Sequence, residues 1–358
     1  MKKPIVLPLL FFFSVVTSSA QKLVTDINSR TPISNVKLFS KKGEILTVSN
    51  LRGEINISTI NLAKGDSIEI YHPDFISEKT SWRDFTEKSE SYLTPSPITN
   101  LEEVVITGRN SEFLILRGYF VSYQIIDNVF QSFSDGIIEY SINLKKEKII
   151  NEEILKSRVF KNLKFIKEYQ KKKKNTTFNL GSEILPFSFK EEILLSGWDK
   201  YEVEENGDIK SQKEIIGKLT KNDNQINLSI EYYTPQNPKK ISLFGMKSEI
   251  HNHTINEKFD SNTPEIEAIN SLAKYYNSTI TQKGVTINYE LIQDFYLLEK
   301  KFFTPEIFKN LDSEMDRNPT TDIKINYWEN KTYPAIPEYL EIMLNDQLEL
   351  ISTTEKKL

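Results

Sequence analysis

Between Lys22 and Pro73, apolar residues recur at every second position in short bursts separated by turn residues. Val36 and Leu38 alternate with polar neighbours before Lys42-Gly43. Ile45–Ser49 runs up to Arg52-Gly53, Ile55 and Ile57 alternate again, and Ile68 and Ile70 follow Lys64-Gly65-Asp66. Period two sends alternate side chains to opposite faces of a strand, and turns at intervals of about 8–12 residues are the pattern of a small antiparallel sandwich. No helical periodicity intervenes, so the expectation for this region is all-β.

After a polar stretch from Thr80 to Asn100 and a short Val104–Ile106 strand, the pattern becomes mixed. Tyr119–Tyr123, Val129–Phe133 and Ile137–Ile142 read as three strands, with turns at Asp127-Asn128 and Asp135-Gly136, the latter a hairpin dipeptide. Leu155, Val159, Leu163 and Ile166 fall at helical spacing. With Asn151 as a cap, Glu152 and Glu153 in the first turn and Lys171–Lys174 in the last, they predict a helix over Asn151–Lys174. Ile226–Tyr232 and Ile323–Tyr327 alternate strictly, and Val285–Tyr296 reads as a longer half-buried strand. Thr263-Pro264-Glu265 and Thr304-Pro305-Glu306 look like helix starts, because threonine caps, proline suits the first helical position and glutamate meets the positive end. A last helix spans about Pro337–Leu350, with Leu340, Met343, Leu344 and Leu348 on one face. The sum is an α+β domain with a mainly antiparallel sheet.

The chain opens with Lys2 and Lys3, an apolar run from Pro4 to Val16, and small residues Ser18 and Ala20 before Gln21. That is the form of a secretory signal peptide cleaved after Ala20, and the run is shorter than the roughly 20 apolar residues that span a bilayer. No later stretch reaches that length, so no transmembrane segment is expected after cleavage. The division expected is 1–20 signal peptide, 21–109 sandwich and 110–358 α+β domain.

Composition removes several classes of function. Among 358 residues there is no cysteine, which leaves no disulfide, thiolate metal site or cysteine nucleophile. A net charge of −4 argues against nucleic acid as a partner. No two of the twelve glycines lie closer than ten residues, so G-x-G-x-x-G, the P-loop and the G-x-S-x-G elbow are all absent. No cofactor is expected.

The segments "TPISNVKLFSKKGEILTVSNLRGEINIS" and "GDSIEIYHPDF" resemble the carboxypeptidase-regulatory-like domain, a transthyretin-like sandwich common in envelope proteins of Bacteroidetes. The matching positions are Thr31-Pro32-Ile33 before Val36, Ser49-Asn50 then Gly53, Asp66 with Ile68, and His72 with Phe75. "LEEVVITGR" (Leu101–Arg109) resembles the segment that ends this domain and opens the plug of TonB-dependent receptors. Residues 110–358 are too few for that family's barrel of about 22 strands and lack lipid-facing alternation. The resemblance implies a fold and a setting: an exported protein, periplasmic or associated with the outer membrane.

Candidate chemistry is sparse. Ile250-His251-Asn252-His253-Thr254, read as a regular strand, puts His251 and His253 on one face about 7 Å apart, a spacing that can ligate one metal. Glu249, Glu257 and Asp260 are nearby oxygens, and His72 is the remaining histidine. The plainer reading is two surface histidines on a polar strand face. Lys171–Lys174 reads as a solvated helix end more readily than as an anionic-surface contact. Tyr232-Tyr233, Tyr275-Tyr276 and Phe302-Phe303 are either platforms for a glycan or lipid, or pairs with one ring in the core and one at its rim. The expectation is therefore a non-catalytic envelope protein that binds or scaffolds, its partner a protein or glycan. The alternatives are a carrier of a lipid or other apolar ligand, and a metal-dependent hydrolase using His251 and His253.

Overall fold

The computed structural model describes residues 21–96, 111–172, 202–310 and 336–355, less positions 59, 147, 212–213, 223–224, 234–236, 244 and 262–264. The expected signal peptide, the Leu101–Arg109 segment, the Ile323–Tyr327 strand and the end of the lysine run (Lys173, Lys174) lie outside the described residues.

The first seven strands are β1 (Gln21–Asp26), β2 (Lys37–Ser40), β3 (Ile45–Val48), β4 (Glu54–Asn56), β5 (Ser67–Tyr71), β6 (Glu78–Ser81) and β7 (Glu90–Leu93), with helix α1 (Trp82–Glu87) before β7. They form a three-stranded sheet, β4-β1-β7, and a four-stranded sheet, β3-β2-β5-β6. Val24, Val36, Leu38, Ile55, Ile68 and Phe85 fill the core between them. Gly43 and Gly53 have φ of 82° and 70°, as their turns require of a residue without Cβ. Against the expected all-antiparallel pattern, β1 and β7 pair in parallel. The sequence between β6 and β7 allows this, because Ser81 caps α1 through Asp84 N–H at 3.0 Å and the helix reverses the chain.

The remaining strands are β8 (Phe113–Ile126), β9 (Val129–Asn143), β10 (Lys148–Lys161), β11 (Glu202–Val203), β12 (Asp208–Ser211), β13 (Glu214–Asn222), β14 (Gln225–Tyr233), β15 (Lys239–Leu243), β16 (Met246–Phe259), β17 (Ile269–Gln282), β18 (Val285–Phe303) and β19 (Glu349–Glu355). Together they make one antiparallel sheet of twelve strands in the order β11-β12-β13-β14-β16-β17-β18-β8-β9-β10-β19, with β15 also paired to β16. Its helices are short: α2 (Leu163–Lys172), α3 (Pro305–Asn310) and α4 (Glu338–Gln347). The second region is thus far richer in strand than the expected α+β balance.

Three expectations are corrected here. Residues 151–161 are strand, and the helix begins only at Leu163. Leu155 and Val159 are four apart, a spacing that a strand shares with a helix, and Leu163 and Ile166 belong to α2, so one helical pattern runs across both elements. Asp135-Gly136 is no hairpin: it lies inside β9, where a Cβ on Gly136 would run into the Lys156 carbonyl and the Phe120 ring. The three expected strands are therefore two, joined at Asp127-Asn128, whose φ of 49° and 63° suit a two-residue turn. Glu265 opens only a 3₁₀ turn at Ile266–Ala268 before β17.

The sandwich seats on one face of the large sheet, here the sandwich face. Phe39 and Tyr71 of the sandwich share a buried cluster with Tyr119, Val121, Tyr123 and Ile292 of the sheet and Tyr339, Leu340, Met343 and Leu344 of α4. Polar contacts surround it. Lys37 Nζ lies 3.4 Å from Asp294, Lys258 Nζ 3.7 Å from Asp74, and Leu51 N–H donates to Glu231 at 3.0 Å. Glu69 accepts the Glu338 and Tyr339 N–H groups at 3.1 and 2.8 Å, holding the first turn of α4. The opposite face, the far face, carries the largest apolar cluster, which includes Leu116, Phe120, Tyr140, Leu228, Leu272 and Phe295.

Candidate functional site

Strand alternation and register determine which residues meet on the far face. Phe295 lies opposite Phe120 and Leu272, and Leu272 opposite Glu257, forming one row across the strands. The next row runs Lys274, Gln293, Ser122, Ser134, and the one after it His253, Tyr276, Leu291, Gln124, Ser132. Then come Ser278, Tyr289 and Ile126, where α2 packs Phe165 and Tyr169 over Ile126, Ile280 and Ile287. Two apolar regions therefore bracket a polar belt.

Much of that belt has no hydrogen-bond partner. Ser122, Ser132 and Ser278 are 0% exposed, Gln131 1% and Ser134 2%. Among the described residues, their hydroxyls and both ends of the Gln131 amide are buried and unsatisfied. Gln131 joins the belt through a register shift at Gln124/Ile125. Phe130 and Phe133 both pack with Tyr123 on the sandwich face, so the two residues between them, Gln131 and Ser132, share the far face. A buried donor or acceptor without a partner costs about 1–3 kcal/mol. Several together mark a place where something other than this chain's own groups meets them.

The two expected metal ligands are not brought together. A register shift at Ile250/Asn252 breaks the alternation on which their shared face depended. His251 Nε2 lies 2.8 Å from the Thr279 hydroxyl, whereas the His253 ring packs 5.7 Å from Tyr276, and Thr279 and Tyr276 point to opposite faces of β17. Tyr232 and Tyr233 also flank His253, at 5.2 and 6.3 Å between ring centroids. Among the described residues its Nε2 has no partner, and burial pushes its pKa down to about 4. The third histidine, His72, is in the sandwich; its Nδ1 accepts Asp74 N–H at 3.2 Å, and burial lowers its pKa to about 4. Of the nearby oxygens, Glu249 reaches Lys240 at 3.8 Å, and Asp260 accepts the Gln225 and Asn270 amides at 2.9 and 2.6 Å. Among the described residues no group of three or more His, Asp or Glu could hold a metal ion.

Glu257 is the one acidic member of the belt's lower edge. It is 4% exposed, its Oε1 has no partner among the described residues, and burial alone raises its pKa well above the usual carboxylate range. It lies opposite Leu272 and Leu228, an apolar setting that disfavours its charged form.

The sandwich face is polar in a different way, because its charges are paired. Arg117 binds Glu139 at 2.7 Å and also Glu299, whose other oxygen meets Lys301 at 2.9 Å. Arg158 grips Asp135 through two hydrogen bonds of 2.7 and 2.9 Å. Of the aromatic pairs, Tyr275-Tyr276 divides as alternation demands, whereas a register shift at Glu231/Tyr233 leaves Tyr232 and Tyr233 both against His253. Tyr276 flanks His253 on the far face, and Tyr275 donates to Glu290 at 2.9 Å on the sandwich face. Sequence reading did not single out Ser122, Gln131, Ser132 or Ser134. Their signal is an alternating polar set inside "FVSYQII" and "FQSFSDGII", strands otherwise apolar enough to be buried on both faces.

Among the described residues no helix is long and apolar enough to cross a membrane. No family model and no curated protein matches the chain. Among solved structures, one described as "Lipid-protein interactions in lipovitellin" aligns with 52% of this chain and 25% of its own, at 8% identity and a TM-score of 0.24. The aligned part is a quarter of that chain, and a likeness of this degree identifies no shared fold.

Proposed function

We propose that this chain is a non-catalytic binding protein of the bacterial envelope. Its large sheet holds an apolar, lipid-like ligand on the far face, and its N-terminal sandwich acts as a rigid module for docking. The observation that carries this is the belt of buried, unpartnered hydroxyl and amide groups bordering the largest apolar cluster. An amphipathic ligand satisfies both: its apolar part lies on hydrocarbon, and its polar part supplies the missing hydrogen bonds. The seven strands in two sheets suit the transthyretin-like reading of the sandwich, and the resemblance of Thr31–Phe75 supports an exported setting.

Docking to a protein partner is favoured by a separate feature. All five residues of β15 are exposed, Ile241 by 44% and Leu243 by 54%, and among the described residues this strand pairs with β16 alone. An open strand edge accepts an extended peptide by main-chain hydrogen bonding. One experiment separates the two roles. The chain is crosslinked in the native bacterium and purified, and its organic extract and crosslinked proteins are analysed from the same sample. A defined lipid at near one per chain is the expected result. A chain that yields no lipid and a reproducible envelope protein overturns the carrier role in favour of docking.

A further inference from the structure

We infer that β15 takes one class of partner: an extended peptide in which acidic and apolar residues alternate, added to the sheet as a further strand. This rests on the docking reading above and names the chemistry of the segment that β15 receives.

β15 lies beside an open length of edge. β14 and β15 both pair with β16, at His253–Phe259 and Met246–Ile250, so β15 continues the line of β14. β13 flanks β14 from Gly217 to Asn222. Among the described residues no strand flanks β15 in the same way, which leaves one side of its backbone to an incoming strand lying end to end with β13.

The two faces beside that edge differ. On the sandwich face, Lys240 and Ser242 lie in rows with Glu249 and Lys247, then with Thr279 and Thr281. These six residues border an open hollow of about 290 Å³. On the far face, exposed Ile241 and Leu243 lead through Ser248 and Met246 to Ile280 and Gln282. Ile280 in turn packs against the cluster that α2 covers. Strand alternation therefore orients the incoming segment, its polar side chains toward the hollow and its apolar ones beside Ile241 and Leu243.

The charge of the polar set follows from its surroundings. On β15 and the part of β16 paired with it, the charged residues are Lys239, Lys240, Lys247 and Glu249, and the turn after β17 adds exposed Lys283. Glu249, 3.8 Å from Lys240, offsets part of this charge. Glu214, at the start of β13, accepts the Asn237 amide at 3.3 Å. Lysine still prevails beside the open edge, so acidic side chains on the incoming strand complete opposite-charge pairs and basic ones are repelled. Two copies joined through β15 would bring the same lysines together, which disfavours self-pairing.

The test titrates the purified full chain, at pH 7 and low ionic strength, with three labelled peptides read by fluorescence anisotropy. EVEVEVE alternates glutamate with valine, KVKVKVK replaces each glutamate by lysine, and EEEEVVV keeps the composition of the first without its alternation. The alternating acidic peptide is expected to bind about fivefold more tightly than either of the others, and more weakly in high salt. Lys240→Glu combined with Lys247→Glu should reverse the preference between the first two peptides. Ile241→Ala combined with Leu243→Ala should weaken the binding of both. All four side chains are exposed, so melting temperatures should hold. Should the charge-reversed chain not fold, the salt dependence and the alanine variant carry the test. Equal binding of the three peptides by the unaltered chain, or an acidic preference that survives the lysine substitutions, overturns the inference and leaves docking at β15 standing. Failure of all three to bind overturns the docking reading as well. A chain that is dimeric by light scattering and becomes monomeric in the alanine variant assigns the edge to a second copy and overturns the inference.

Discussion

Glu257 and His253 occupy the same face of β16 and are both driven toward neutrality by burial, yet they act on stability in opposite pH directions. His253 has its folded pKa lowered from 6.5 to about 4, so between those values the unfolded chain takes up a proton that the folded chain refuses. Its contribution is complete above pH 6.5 and is lost as pH falls toward about 4. Glu257 has its folded pKa raised above 4.5, so its contribution is complete below 4.5 and is lost as pH rises through the folded value. The isosteric Glu257→Gln variant removes only the second effect. Its stability relative to the unaltered chain, from urea denaturation, should rise between pH 4.5 and 8. A difference that stays flat over that range would show Glu257 ionised in the folded chain. At this scale the sequence offered residue types without environments. His251 and His253 were visible, but the extra residue that turns their side chains to opposite faces was not.

At the scale of elements, the strands that alternate cleanly are those paired without interruption. β14 keeps Ile226, Leu228 and Ile230 on one face, along a stretch paired with β13 and β16 without a register shift. Elsewhere the pattern misleads: β10 read as helix, and Asp135-Gly136 read as a turn. Gly136 is instead required by packing, since β10 bulges toward it and brings the Lys156 carbonyl against the position a Cβ would occupy. Gly136→Ala should therefore cost about 1–3 kcal/mol, an overpacking penalty. Gly65→Ala, where nothing lies within 4 Å, should stay within about 0.5 kcal/mol of the unaltered chain. Chemical denaturation of the two variants side by side checks both, and equal stabilities would remove the packing role of Gly136.

On the scale of the whole molecule, sandwich and sheet share a core. Phe39 and Tyr71 are buried with sheet and α4 residues, and fully buried Lys37 reaches across to Asp294. Two regions joined in this way should unfold together, giving one calorimetric transition. Lys37→Met leaves Asp294 buried without its cation and should destabilise by about 3–5 kcal/mol, while adding Asp294→Leu to it should recover most of the loss. Two separate transitions in the unaltered chain, or no recovery in the double variant, would refute the coupling.

The sequence by itself determined the all-β character of the first region, the mainly antiparallel sheet of the second, and the turns at Gly43, Gly53 and Asp127-Asn128, because period and turn chemistry are local properties. It also determined the classes of chemistry that the lack of cysteine and the wide spacing of glycine exclude. Only the tertiary structure decided that a strand near the C-terminus, β19, completes the sheet beside β10, that the sandwich covers one face, and that Ser122, Gln131, Ser132 and Ser134 meet on the other. Those outcomes depend on pairing partners distant in sequence and on single-residue bulges. A shift of one residue exchanges every side chain between the faces of a strand, and no local pattern records which face the rest of the molecule will bury.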